Sequence, residues 1–184
     1  MLFFGSSFNG MPLMSLRSAA KIGTITEPVI NPHNLHIDGF YAQAMNGQRD
    51  GIVVDIDVRD LSPTGMIIDD HEDIAEQEEL VRLQPIITIN FKLIGKNVYA
   101  GSSKIGRVED YVVDTKSLFI QKLYVQPSLL KLTSSQMIFD RQSIREVTDT
   151  KIVVSGPEVK DTQKVSSRFQ APSFNSASTS TISE

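Results

Sequence analysis

The sequence predicts an all-β protein: two tandem, small, strongly bent β-barrels, each with a short helical turn, plus a disordered C-terminal tail. Three observations predict it. Residues 21–43 (KIGTITEPVINPHNLHIDGFYAQ) recur as residues 104–126 (KIGRVEDYVVDTKSLFIQKLYVQ) at a constant offset of 83. A repeat this long marks two copies of one folded unit. Each copy alternates apolar and polar residues with the period of a strand, at 24–30 and 107–113. From Pro157 the chain carries 7 Ser and 3 Thr with almost no periodicity, too little apolar surface to order itself. The expected organisation is a flexible N-terminus over 1–10, unit one over 11–85, unit two over 86–156 and the tail over 157–184.

In each unit the alternating strand meets turn chemistry, Asn31-Pro32-His33-Asn34 or Asp114-Thr115-Lys116-Ser117. A second strand follows at 35–42 or 118–125, giving a hairpin. That strand changes phase. Leu35 and Ile37 face one way and Phe40 the other; Leu118 and Ile120 shift likewise before Leu123 and Val125. A β-bulge near Gly39 and Lys122 accounts for the change, and strong bending is how a small sheet curls into a barrel. A third segment, Leu61 to Asp69, aligns with Leu132 to Asp140 at an offset of 71. Offsets of 83 and 71 differ by 12, so a 12-residue insert is expected in unit one around 44–52, with its Asn46-Gly47 turn and a strand over 52–58. Short helical turns are expected at 70–77 and 141–147, closing strands at 80–83 and 152–154, and a connecting strand at 85–93.

The chain of 184 residues has no cysteine, which excludes disulfides, thiolate metal sites and a cysteine nucleophile. Its start, MLFFGSSFNGMPLM, lacks a basic n-region, and no window approaches the roughly 20 apolar residues of a membrane span. A cytoplasmic protein is expected. The net charge of -4 is unevenly spread: residues 1–85 carry 5 basic and 13 acidic side chains, residues 86–156 carry 10 and 6. Opposite charge on like folds fits attraction within one chain or a homo-oligomer pairing acidic unit one with basic unit two; it also fits charge drift on two solvated surfaces.

The segment Ile105-Gly106-Arg107-Val108-Glu109-Asp110-Tyr111-Val112-Val113-Asp114, with its twin Ile22-Gly23-Thr24-Ile25-Thr26-Glu27-Pro28-Val29-Ile30-Asn31, resembles the PRC-barrel family. The resemblance covers about 140 residues as two copies. Gly23, Glu27, Gly106, Asp110 and Asp114 are the positions that match the motif, Glu27 and Asn31 departing from the Asp the pattern favours. It implies a small bent β-barrel, as in the cytoplasmic part of the photosynthetic reaction centre H subunit and the C-terminal part of the ribosome maturation factor. It also implies a module that contacts protein or RNA, and not a catalyst.

Glu27 and Asp110, expected on a strand face with Ile25/Val29 and Val108/Val112, read as structural carboxylates accepting backbone N–H bonds across the barrel closure, in preference to a ligand or proton site. His33 and His36 flank a turn without a counterpart in unit two, and read as exposed and unliganded. Asp55, Asp57 and Asp60 lack the glycine and terminal glutamate of a calcium loop, and Asp55 and Asp57 read as one solvated strand face. The seven acids between Asp69 and Glu79 suit a solvated face or a docking strip for a basic partner. Lys104, Arg107, Lys116, Lys122 and Lys131, interleaved with Tyr111, Phe119 and Tyr124, are the residues through which unit two would grip RNA, although strand alternation scatters them. No catalytic set, phosphate loop, cofactor motif or metal motif stands out. The expectation is a non-enzymatic adaptor or assembly scaffold that docks protein partners, the alternative an RNA- or ribosome-associated maturation factor, and the remote alternative a metal- or small-molecule-binding enzyme.

Overall fold

A computed structural model describes residues 1–45, 50–128 and 136–155. The predicted tail, the Asn46-Gly47 turn and Lys131 lie outside these residues. The described chain is mostly β, and its strands form two curled sheets. Sheet one contains β2 (Met11–Ser15), β3 (Ala20–Asn31), β4 (His36–Ala44), β5 (Gly51–Val54), β6 (Asp60–Ser62), β7 (Gly65–Ile68) and β8 (Ile74–Ala75), in the order β6-β7-β2-β3-β4-β5-β8. Helix α1 (Gln84–Ile89) follows. Sheet two contains β9 (Asn97–Ala100), β10 (Ser103–Asp114), β11 (Ile120–Pro127), β12 (Met137–Asp140), β13 (Ile144–Val147) and β14 (Lys151–Val154), in the order β12-β11-β10-β9-β14-β13. The first strand of the chain, β1 (Leu2–Phe4), pairs with β10.

The two sheets share one topology. In each, two hairpins share a long central strand (β3 or β10), and a late strand returns to pair in parallel with the first: Leu13 lies opposite Met66, and Val98 opposite Ile152. The bulges repeat as well. Ile22 and Ile105, Thr26 and Glu109, and Asp38 and Gln121 are each the extra residue in a register shift. Each pair is 83 apart. The phase change in the second strand of each hairpin is thus a bulge one residue before Gly39 and Lys122. Three bulges along the two ladders of the central strand, two of them in the β3–β4 or β10–β11 hairpin, supply the curl.

Beyond the hairpins the expected alignment fails. β5 matches β12, the 310 turn Asp55–Asp57 matches Arg141–Ser143, and β7 matches β14, all at an offset of 86. The offset of 71 is therefore wrong and unit one has no 12-residue insert; its β4–β5 connection is three residues shorter than the β11–β12 one. Met66-Ile67-Ile68-Asp69 and Met137-Ile138-Phe139-Asp140 resemble each other in composition but occupy different strands, because a short apolar run carries no register of its own. The expected strand over 52–58 stops at Val54, so Asp55 and Asp57 sit on a 310 turn. The expected closing strand at 80–83 is a turn; β8 closes that edge against β5 instead. The expected connecting strand at 85–93 begins as α1, with Pro85 in its first turn and Asn90 capping it in the left-handed region (φ 48°). Its adjacent apolar residues could not distinguish helix from strand.

The expected flexible N-terminus is also overturned. Leu2, Phe3 and Phe4 pair with Asp114, Val113 and Val112, and Phe8 is fully buried, 5.1 Å from Phe40 and 5.5 Å from Phe3. Gly5 lies against the Tyr111 ring, where a Cβ would sit 2.3 Å from it. The absence of a side chain at Gly5 is what lets this apolar segment pass over unit two.

Core residues from both units form one cluster running from Phe8 to Val154. The hairpin tips seal it. Ile37 N–H donates to the Leu118 carbonyl (3.0 Å), and Ile120 N–H to the Leu35 carbonyl (2.9 Å). Residues 37 and 120, and 35 and 118, are repeat equivalents, so the tips bond reciprocally. Leu35 (φ 54°) and Leu118 (φ 52°) both adopt left-handed backbone. Such a conformation costs roughly 1–2 kcal/mol per residue. It is retained where the N–H of each reaches back to Asn31 or Asp114 (2.8 Å each) and its side chain is buried.

Gly23 and Gly106 mark an equivalent close crossing in the two units: an added Cβ would meet the Gln43 carbonyl oxygen at 2.7 Å and the Gln126 carbonyl oxygen at 2.1 Å. Gly106→Ala is expected to destabilise the protein by about 1–3 kcal/mol, and Gly23→Ala by less, measured by urea denaturation. Phe8→Ala is expected to cost about 3–5 kcal/mol, an effect that a merely flexible N-terminus would not produce.

Candidate functional site

The bulge at Thr26 decides which way its strand presents its acid. Ile25 goes into the shared core, while Val29 joins a separate cluster with Ile52, Ile86 and Ile87, with Tyr41 packed against it. Glu27 lies opposite Tyr41. It is therefore on the outer face with Val29 and Tyr41, not on the face of Ile25 as strict alternation predicts. On that face an open groove of about 590 Å3 is lined by Glu27, Tyr41, Gln43, Asp50, Ile52 and the turn Glu76-Gln77-Glu78, among others.

Each wall has a local cause. The acid-rich stretch 69–79 folds as two 310 turns, His71–Asp73 and Gln77–Glu79, with reciprocal caps from Asp70 and Asp73 and from Glu76 and Glu79. Between them β8 lies so close to β5 that a Cβ on Gly51 would meet the Ala75 carbonyl at 2.4 Å. This close approach carries Glu76 and Glu78 to the groove rim. Asp50 accepts the Ala44 N–H (2.9 Å), and Glu27 is held by the Lys92 ammonium from the segment after α1. Burial, with the nearby Glu27 carboxylate, raises the Tyr41 pKa, so the phenol stays a neutral hydroxyl. Four carboxylates lining the groove, with the Tyr41 ring between them, suit a cationic side chain.

The positions matching the repeat motif fall into structural roles. Asp110 accepts the Ser6 N–H (3.1 Å), the Ser6 hydroxyl (2.6 Å) and the Tyr111 N–H (2.7 Å), tying the N-terminal segment to unit two. Glu27 differs: it is half-exposed and pairs with Lys92. Asp114 and Asn31 accept the N–H groups of Lys116 and His33, fixing the twin turns. The basic residues do not converge. Lys104 lies at the start of β10 and Lys116 in the turn beyond its end; Arg107 and Lys122 lie between them, with Lys122 paired to Asp140 (3.2 Å).

His36 is not a free histidine. Its Nδ1 lies 2.6 Å from Asp38, itself bonded by Asn31, and its ring meets Phe119 edge-on at 4.7 Å. Arg141 stacks over Phe119 and donates to the Asn34 carbonyl (2.6 Å), so this cluster belongs to the junction between the units. Among the described residues no group of three His, Asp or Glu side chains has the arrangement of a metal site. No helix among them is long and apolar enough to cross a membrane. No protein-family model matches the chain, and no curated protein matches it either.

Next to the groove, Asp69 and Asp70 are held below the usual carboxylate range, Asp69 by the Arg59 guanidinium (2.6 and 3.0 Å) and Asp70 by the His71 N–H and ring. Burial and the neighbouring Asp73 push Asp57 up. A lowered carboxyl stabilises the fold above its unfolded pKa, about 4, and that contribution is lost as pH falls through the folded value. A raised one has the opposite sign and opposes folding at neutral pH. Asp70→Asn is expected to lower Tm at pH 7, with the difference from the parent shrinking as pH falls below about 4, whereas Asp57→Asn raises Tm at pH 7; thermal melts from pH 7 into the acid range measure both.

Proposed function

We propose that the chain is a tandem PRC-barrel protein serving as a cytoplasmic, non-enzymatic adaptor or assembly scaffold, and that the outer groove of unit one receives a basic segment of a protein partner. The observation that carries the reading is the groove itself: Glu27, Asp50, Glu76 and Glu78 line an open cavity, with the Lys92 ammonium bonded to Glu27 at its edge. The shared bulges and matching strand order support the family assignment. A fused double barrel holds such a surface at fixed geometry, which lowers the ordering cost of binding.

The test is selection from a random 12-residue peptide library on the immobilised full chain. Enriched peptides are expected to carry Lys or Arg beside an apolar residue and to bind less tightly as salt rises. Glu27→Gln with Glu78→Gln is expected to weaken them about 3–10-fold, since each rim charge contributes roughly 0.2–1 kcal/mol. Enrichment of acidic or uncharged peptides, or tight retention of a single-stranded RNA oligonucleotide in place of peptides, overturns the reading.

A further inference from the structure

Unit two repeats the strand order of unit one from β2 to β7 but has no counterpart of β8 or α1 among the described residues, a difference independent of the groove. In unit one the outer edge, β5, is closed by β8, and its outer face is covered by α1: Ile52 is 1% exposed beneath Ile86, Ile87, Leu80 and Leu83. The equivalent strand in unit two, β12, pairs only with β11 among the described residues, and the equivalent residue, Ile138, is 38% exposed. Ile138 lies opposite Tyr124, which packs on Phe4 (5.4 Å), itself 47% exposed beside Leu2 at 58%. The result is a continuous apolar strip leading to an open strand edge. β12 (Met137-Ile138-Phe139-Asp140) has no lysine, proline or bulge of the kinds that usually blunt an edge.

We infer that β12 is the interface through which two copies of this chain pair, antiparallel and centred on Ile138, with the Phe4–Tyr124–Ile138 strips meeting across the two-fold axis. Charge selects the occupant. Among the described residues the strip is flanked by two cations, Arg107 and Lys122, and two anions, Glu109 and Asp140. Asp140 is paired with Lys122, Glu109 with Gln136, and Asp110 is turned onto Ser6. A balanced border neither steers nor retains a strongly charged partner, but it lets an identical border approach. Antiparallel pairing about a two-fold axis is self-complementary and closes after two copies, so it makes a dimer and no filament. The pairing is the one β5 already makes with β8, supplied by a second molecule.

The full chain is expected to sediment as a dimer at micromolar concentration, and Ile138→Lys to raise the dimer dissociation constant at least tenfold. Ile56→Lys, at an apolar residue on the 310 turn of unit one that is more exposed still (77% against 38%), should leave it unchanged. Because the chain has no cysteine, Ile138→Cys introduces a single thiol. Mild oxidation should link two copies covalently, since directly opposed residues bring their Cβ atoms close to disulfide range, whereas Ile56→Cys should not. A monomer at all concentrations overturns the inference. So does a dimer that survives Ile138→Lys and fails to cross-link through Ile138→Cys, which places the contact elsewhere. Amide-exchange protection, in a monomer, of those N–H groups of 137–140 that do not bond β11 also overturns it, since a segment of the chain itself then covers the edge.

Discussion

The structure depends on the reciprocal contact between the two hairpin tips. Each unit is a curled sheet open along one side, too small to bury its own apolar face well. By donating Ile37 N–H to Leu118 and Ile120 N–H to Leu35, the tips set the open sides against each other and make two half-barrels into one core. The left-handed leucines, the side-chain turns at Asn31 and Asp114 and the His36–Phe119 pair all serve that arrangement. The bulges serve it too, because without the extra residues the hairpins would be too flat to reach round.

Duplication explains what is alike, and the differences show where the units have been finished separately. In unit one the acid-rich stretch after β7 folds back as capped turns, adds β8 to the edge and continues into α1, closing the outer face but leaving a groove between turn and sheet. Unit two receives β1 from the far end of the chain, and that strand lies along β10 and leaves β12 open. Two identical frames thus present one acidic concave surface and one apolar edge.

Much of this could be read from residue order, and what could not has definable causes. The repeat disclosed the hairpins, and the phase change after Ile37 and Ile120 disclosed a bulge, since period-two alternation cannot change face otherwise. The bulge at Thr26 and Glu109 was missed because polar residues on an outer strand carry no phase signal, and with it the true face of Glu27. The offset of 86 was hidden behind two similar tetrapeptides, and α1 behind an apolar run of ambiguous period. The acids of 69–79 were visible as a docking strip or a solvated face. That they cap consecutive turns and line a groove with Tyr41 follows only from β8 meeting β5, a contact between distant segments.

The position of β1 has a consequence for how the molecule is made. Leu2 finds its neighbour at Asp114, more than a hundred residues later, and Phe8 enters a core whose other half belongs to unit two. Loop-closure entropy makes such remote pairings late events in folding. On a growing chain the greasy leader MLFF must therefore wait, exposed, until the second sheet is synthesised. The last seam to close is the one joining residues 2–8 to unit two.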